Sequence, residues 1–171
     1  MSQGYRAAMT GLDPNYARRL TDALNVYLAN LHVVYVKLHN FHWNVIGVDF
    51  FDFHEKTQEL YEAVALELDV IAERIKQLGY YPLASMHEFV RYATLKEAAS
   101  SPYDTPTIAR ALADDFADTA RYLREVDRFV RETTDEYTIN LLGDALGFAE
   151  KNVWFFTAYL ERMEYANKSS K

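Results

Sequence analysis

Four rows of apolar residues, each advancing in alternating steps of three and four, constrain this chain more than any other feature. The first runs Leu20, Leu24, Tyr27, Leu31, Val34, Leu38, Phe41, Val45, and the second His54, Thr57, Tyr61, Val64, Leu68, Ile71, Ile75, Leu78. The third is Ile108, Leu112, Phe116, Thr119, Leu123, Val126, Val130, and the last Ile139, Leu142, Leu146, Ala149, Val153, Phe156, Leu160, Met163. Steps of three and four return a side chain to the same face of an α-helix. A long helix with one apolar stripe must bury it against others. Four such helices predict an all-α protein built as a four-helix bundle.

The breakers fall between the rows. Gly47 and Gly79 sit where a left-handed residue ends a helix, and Pro82 follows the second closely. Asp13-Pro14 and Thr105-Pro106 each read as an N-cap followed by proline at the first helical position. The third and fourth helices separate near Thr133–Asp135. Residues 79–105 are too many for a simple turn, and Ser85-Met86-His87-Glu88 has the form of a capping box ahead of Phe89, Val90 and Tyr92. A short extra helix between the second and third long helices follows. The expected organisation is one bundle over residues 13–165, with flexible tails at 1–12 and 166–171.

Composition removes several classes of function. The chain has 171 residues, half of them apolar, which suits a single core. Its 13 Tyr, 10 Phe and 2 Trp are too many for a disordered segment. With no cysteine there is no disulfide, thiolate metal site or cysteine nucleophile. No uninterrupted apolar run exceeds four residues, so no membrane span is expected. The first thirty residues lack the pattern of a secretory signal, which makes the cytoplasm the expected compartment. A net charge of −7 disfavours a surface made to coat phosphate backbones and favours cationic partners such as metal ions.

The first helix carries a second stripe beside its seam: Leu28, His32, Tyr35, His39, His42. Two adjacent stripes mean burial on two sides. For His32 and His39 the plain reading is a hydrogen-bonded core imidazole. In the second helix Asp69 and Glu73 stand four apart and share a face. Ala65, Leu66, Val70 and Ala72 surround Asp69, so an ionised carboxylate there needs a partner or a cation. A salt-bridged pair with Arg74 or Lys76 is the structural alternative.

Three segments taken together are more specific: His42-Trp43-Asn44, then Phe50-Phe51-Asp52-Phe53-His54-Glu55, then Leu68-Asp69-Val70-Ile71-Ala72-Glu73-Arg74. The chain resembles the Dps family, the small ferritin-like proteins called miniferritins. The family pattern is a His before Trp-Asn, a second His twelve positions on, an Asp fifteen later and a Glu four beyond, and each interval is met here. The resemblance implies a ferritin-like four-helix bundle and makes His42, His54, Asp69 and Glu73 iron ligands of a ferroxidase centre. Two imidazoles and two carboxylates form a mixed N/O set that suits Fe(II). Trp43, beside a ligand, is a candidate electron donor or a packing residue. His39 and Gln58 are candidates for the surroundings of the site. Many relatives have a carboxylate where Gln58 stands, so a second iron is expected to bind loosely. Glu136 and Asp144, with Asp135, are candidates for lining an iron entry pore, although acids at a helix start are also well placed against its dipole.

One geometric consequence is independent of the resemblance. His54 and Asp69 are fifteen residues apart on one helix, which separates them by about 22 Å along its axis. One ion cannot touch both. If all four residues are ligands, the histidines come from one chain and the acids from another, across a two-fold dimer. The resemblance extends this to a hollow shell of twelve subunits that oxidises Fe(II), by family preference with hydrogen peroxide rather than oxygen, and stores the ferric product. Its alternative implication is coating of DNA, with nucleoid association. The near-neutral first fifteen residues, with Arg6 and Asp13 as their charges, argue for weak or absent DNA binding.

Overall fold

The computed structural model describes the backbone of residues 5–169 and the side-chain surroundings of 7–162. Four long helices carry the expected rows: α2 (Pro14–Asn44), α3 (Phe50–Gln77), α5 (Thr105–Val130) and α6 (Glu136–Ser169). A five-residue α1 (Tyr5–Met9) precedes them, and α4 (Met86–Tyr92) lies in the long crossover. Short connections make α2 and α3 one antiparallel pair and α5 and α6 another, and α4 packs on α2.

All eight seam residues of the first row and all seven of the third are buried, with Leu20, Leu38, Ile108 and Leu112 fully enclosed. Each enclosed leucine contributes about 1.5–3 kcal/mol relative to exposure. The stripe of α6 is turned slightly from its expected line. Leu142, Ala149 and Phe156 are buried as expected, but Thr138, Leu141, Ala145 and Asn152 are buried as well, while Ile139, Leu146 and Val153 are only partly covered. The polar residues on this face are hydrogen-bonded: Thr138 Oγ1 bonds Asp135 and Arg74, and Asn152 Nδ2 donates to Phe148 O at 2.9 Å.

The helix ends follow local chemistry. The Asp13 carboxylate accepts from the amides of Asn15 and Tyr16 at 2.9 Å each. Ser85 and Glu88 form the capping box, the Ser85 hydroxyl donating to Glu88 Oε2 at 2.7 Å. After α3, Gly79 takes φ +89°, and Tyr80 N–H reaches Ile75 O at 3.2 Å while Gly79 N–H reaches Lys76 O at 3.0 Å. That pair of bonds is a Schellman ending, which needs a residue without Cβ strain at the left-handed position. At the start of α5 the cap is Asp104 rather than Thr105: its carboxylate accepts from Thr107 N–H at 2.9 Å. Thr105 is already helical, and its hydroxyl bonds the Tyr159 hydroxyl instead.

Other boundaries differ from the sequence reading. Helix α2 stops at Asn44, and Val45–Ile46 pairs in parallel with Tyr103–Asp104, forming two very short strands, β1 and β2. This pairing ties the end of α2 to the start of α5. The stretch expected as an N-terminal tail contains α1, whose Ala7 is fully buried. At the other end α6 continues through Ser169, past the expected boundary at residue 165. Residues 1–4, 170 and 171 of the two expected tails lie outside the described residues.

Two buried asparagines hold the crossover against α2. Asn30 Oδ1 accepts from Thr94 N–H at 2.7 Å and Leu95 N–H at 3.1 Å. Asn40 Nδ2 donates to the carbonyls of Ala98 and Ala99 at 3.0 Å each. Deeper in, Lys37 and Asp115 form a buried ion pair at 2.7 Å between α2 and α5. Burial pushes the Asp115 carboxyl up, and the Lys37 ammonium only partly offsets it.

Candidate metal centre

The last turn of α2 and the first turns of α3 bring His42 and His54 together. Their rings stack at 3.7 Å between centroids, tilted by 20°. Each ring bonds the other residue's backbone: His42 Nδ1 lies 2.8 Å from His54 O, and His54 Nδ1 lies 2.8 Å from His42 O. A carbonyl oxygen only accepts, so each Nδ1 carries a proton, and in the neutral form of the imidazole the lone pair lies on Nε2. Such anchoring fixes a metal-binding imidazole in tautomer and direction. The reciprocal arrangement does this for both rings at once.

Three residues that sequence reasoning did not single out support the pair. Thr57 is fully buried beneath it, its hydroxyl donating to Phe53 O at 2.7 Å and lying 3.0 Å from His54 O. Phe50 also stacks on His54, at 5.3 Å between centroids. Tyr61 stacks on His39 at 4.0 Å and meets His42 edge-on at 5.4 Å. A threonine next after His54 on the seam of α3 is the available signal for Thr57. His39 Nδ1 is anchored to Tyr35 O at 2.9 Å, and its ring also touches Trp43 at 5.3 Å. His32 stacks on Phe89 at 3.6 Å, and burial lowers its pKa. Trp43 is 70% exposed beside the histidine pair.

The acids lie elsewhere in the same chain. Helix α3 is continuous from Phe50 to Gln77, so the rise of about 22 Å between His54 and Asp69 stands. Among the described residues no three His, Asp or Glu side chains converge within one chain into a group that could hold a metal. Asp69 and Glu73 are both exposed, and so are their apolar neighbours Leu66 (73%) and Val70 (41%). The expected cost of an ionised Asp69 therefore does not arise in the single chain; it arises only if this face is covered.

Arg74 is not the partner of these acids. Its guanidinium turns inward to Asp135, Nη2 to Oδ2 at 2.7 Å, and Nε donates to Thr138 Oγ1 at 2.9 Å. Tyr16 and Thr138 hydroxyls also donate to Asp135 Oδ2, at 2.9 and 2.7 Å. Burial alone would raise the Asp135 carboxyl, but Thr138, Tyr16 and Arg74 together hold it below the usual carboxylate range. The same burial raises the Tyr16 phenol far above its ordinary value. Asp135 is thus a buried cap of α6, with Thr138 N–H bonding its Oδ1 at 3.2 Å, and not a pore lining. Glu136 and Asp144 are exposed. Glu67 is raised chiefly by burial, with a further contribution from Asp144.

Gln58 lies on α3 one turn beyond His54, exposed, with its amide Nε2 donating to Glu62 Oε1 at 2.9 Å. Among the described residues no helix is long and apolar enough to cross a membrane.

The family model of the ferritin-like domain matches residues 21–166. The DNA protection during starvation protein of Brevibacillus brevis is 38% identical over 138 residues, covering 81% of this chain and 92% of that protein. General stress protein 20U of Bacillus subtilis is 39% identical, over 84% of this chain and 99% of its own length. Among solved structures, the Dps protein of Vibrio cholerae O1 superposes with a TM-score of 0.86 at 34% identity, covering 94% of this chain and 98% of that one. That protein is described as a member of a broad superfamily of ferritin-like diiron-carboxylate proteins. The fold agrees over 94% of the chain and the sequence over about four fifths of it, and the chain belongs to the Dps family of ferritin-like proteins.

Proposed function

We propose that this protein takes up Fe(II), oxidises it at centres shared between two copies of the chain, and stores the ferric product inside an oligomeric shell. The observation that carries the reading is the reciprocal anchoring of His42 and His54, which leaves two Nε2 lone pairs on neighbouring rings. Asp69 and Glu73 of a second copy supply the negative charge that a divalent ion requires. Two nitrogens and two carboxylates suit Fe(II) and leave room for an oxidant. A two-fold axis generates two such centres per dimer, and family resemblance extends the dimer to twelve subunits.

In the reaction each of two Fe(II) ions gives up one electron. Hydrogen peroxide accepts both and, with two protons, becomes two molecules of water. The peroxide is consumed without releasing hydroxyl radical, so iron removal and peroxide removal both spare DNA. The relatives' name, DNA protection during starvation protein, accords with this outcome. Trp43, exposed and in edge contact with His39, is a candidate electron donor to the centre. Glu136 and Asp144 remain candidates for guiding Fe(II) inward.

The test is anaerobic loading with Fe(II) followed by peroxide or oxygen, monitored by ferric absorbance. Wild type is expected to oxidise iron faster with peroxide, and the His42→Ala, Asp69→Ala double variant to lose this activity. Equal rates for the two proteins would overturn the proposal.

A further inference from the structure

Gln58 and Glu62 are joined by a hydrogen bond whose direction is set by chemistry. An ionised carboxylate only accepts, so the Gln58 NH2 faces Glu62 and its carbonyl Oε1 is turned the other way. Counting 100° per residue along α3, His54, Gln58, Glu62, Asp69 and Glu73 fall within a single face. Gln58 therefore lies on the histidine-bearing face, about 6 Å along the axis from His54. Glu62, about 12 Å from His54 by the same rise, is too far to touch a metal held there.

We propose that Glu62 is a positioning residue: it holds the Gln58 amide so that a neutral oxygen, and not the NH2 group, faces a second divalent cation beside the His42–His54 centre. Free rotation of an amide presents donor and acceptor alike, and the donor side repels a cation. A fixed acceptor on a charged anchor removes that ambiguity and makes the oxygen a better ligand. The inference rests on the shared centre described above and adds to it the residue that makes an amide serviceable as a ligand. The second position then carries one negative charge fewer than a carboxylate would supply, and it binds more weakly than the first.

Calorimetric titration of the metal-stripped full-length protein with Zn(II), which undergoes no redox change, separates the two positions. Wild type is expected to show a tight class and a weaker one in equal number. Glu62→Gln should leave the tight class unchanged and weaken the second by roughly tenfold, the lower range for loss of a ligand's supporting partner. Part of that loss is the missing charge of Glu62 acting through space. The same substitution in a Gln58→Glu background measures that part, because a carboxylate has no wrong face to present. The second position should be tighter in Gln58→Glu, and Glu62→Gln should then weaken it by much less than tenfold. Equal weakening in both backgrounds, or none in either, overturns the positioning role. Absence of the tight class in wild type would instead refute the shared centre itself, and this inference with it.

Discussion

The shared centre makes a quantitative prediction for mixtures of two inactive variants. One variant lacks both imidazoles (His42→Ala, His54→Ala) and the other both acids (Asp69→Ala, Glu73→Ala). Because α3 is unbroken from Phe50 to Gln77, the about 22 Å between His54 and Asp69 cannot close onto one ion. Each variant alone therefore has only broken centres. In a mixed dimer the intact histidines of the second variant face the intact acids of the first, giving one complete centre, while the reciprocal centre lacks every ligand. Random pairing makes about half of the dimers mixed, so roughly a quarter of wild-type centres should return. The assay is denaturation of the two variants together, refolding, and iron oxidation with peroxide, against each variant refolded alone and wild type refolded in parallel. If the mixture stays as inactive as its parents while wild type recovers, the centre is not divided between chains in this way.

Other consequences are more local. Arg74→Met leaves Asp135 buried with only hydroxyl and amide donors, and removing one partner of a buried pair costs about 3–5 kcal/mol; with Tyr16 and Thr138 still in place the loss should lie near 3, read from the urea midpoint. Since the Asp135 carboxyl is lowered in the folded protein, its contribution is complete above the unfolded value of about 3.9 and fades as pH falls through the folded one. Asp135→Asn should therefore be less stable at neutral pH yet show a shallower acid decline, and parallel acid limbs in the two proteins would contradict this assignment. Asp104→Ala removes the cap of α5 and should cost about 1 kcal/mol by thermal unfolding, whereas Thr105→Ala should leave that cap intact. With a net charge of −7 the protein should not retard DNA in a gel at near-physiological salt; tight retention there would mean a basic surface that the charge balance does not suggest.

Much of the bundle was legible in the sequence because helix periodicity and caps are local. The rows of α2 and α5 could be read to the residue, as could the Asp13 cap, the Ser85–Glu88 box and the glycine after α3. The constraint that His54 and Asp69 cannot share an ion within one chain needed only the rise of a helix. Choices among equivalent partners were not local. Asp104 and Thr105 are both good caps, and Tyr159, distant in sequence, draws the Thr105 hydroxyl away. Arg74 has Glu73 beside it, yet burial in the bundle delivers it to Asp135, sixty-one residues on. The buried face of α6 is turned by about one residue from its apolar row because Thr138 and Asn152 are buried with their hydrogen bonds made, which apolar periodicity does not encode. Above all, the crossed bonds of His42 and His54 required the turn between α2 and α3 to set two backbone carbonyls opposite two rings. Spacing along a chain states which residues share a face; only the packing of one helix on another decides which atom each side chain meets, because hydrogen bonds depend on tenths of an ångström that periodicity does not encode.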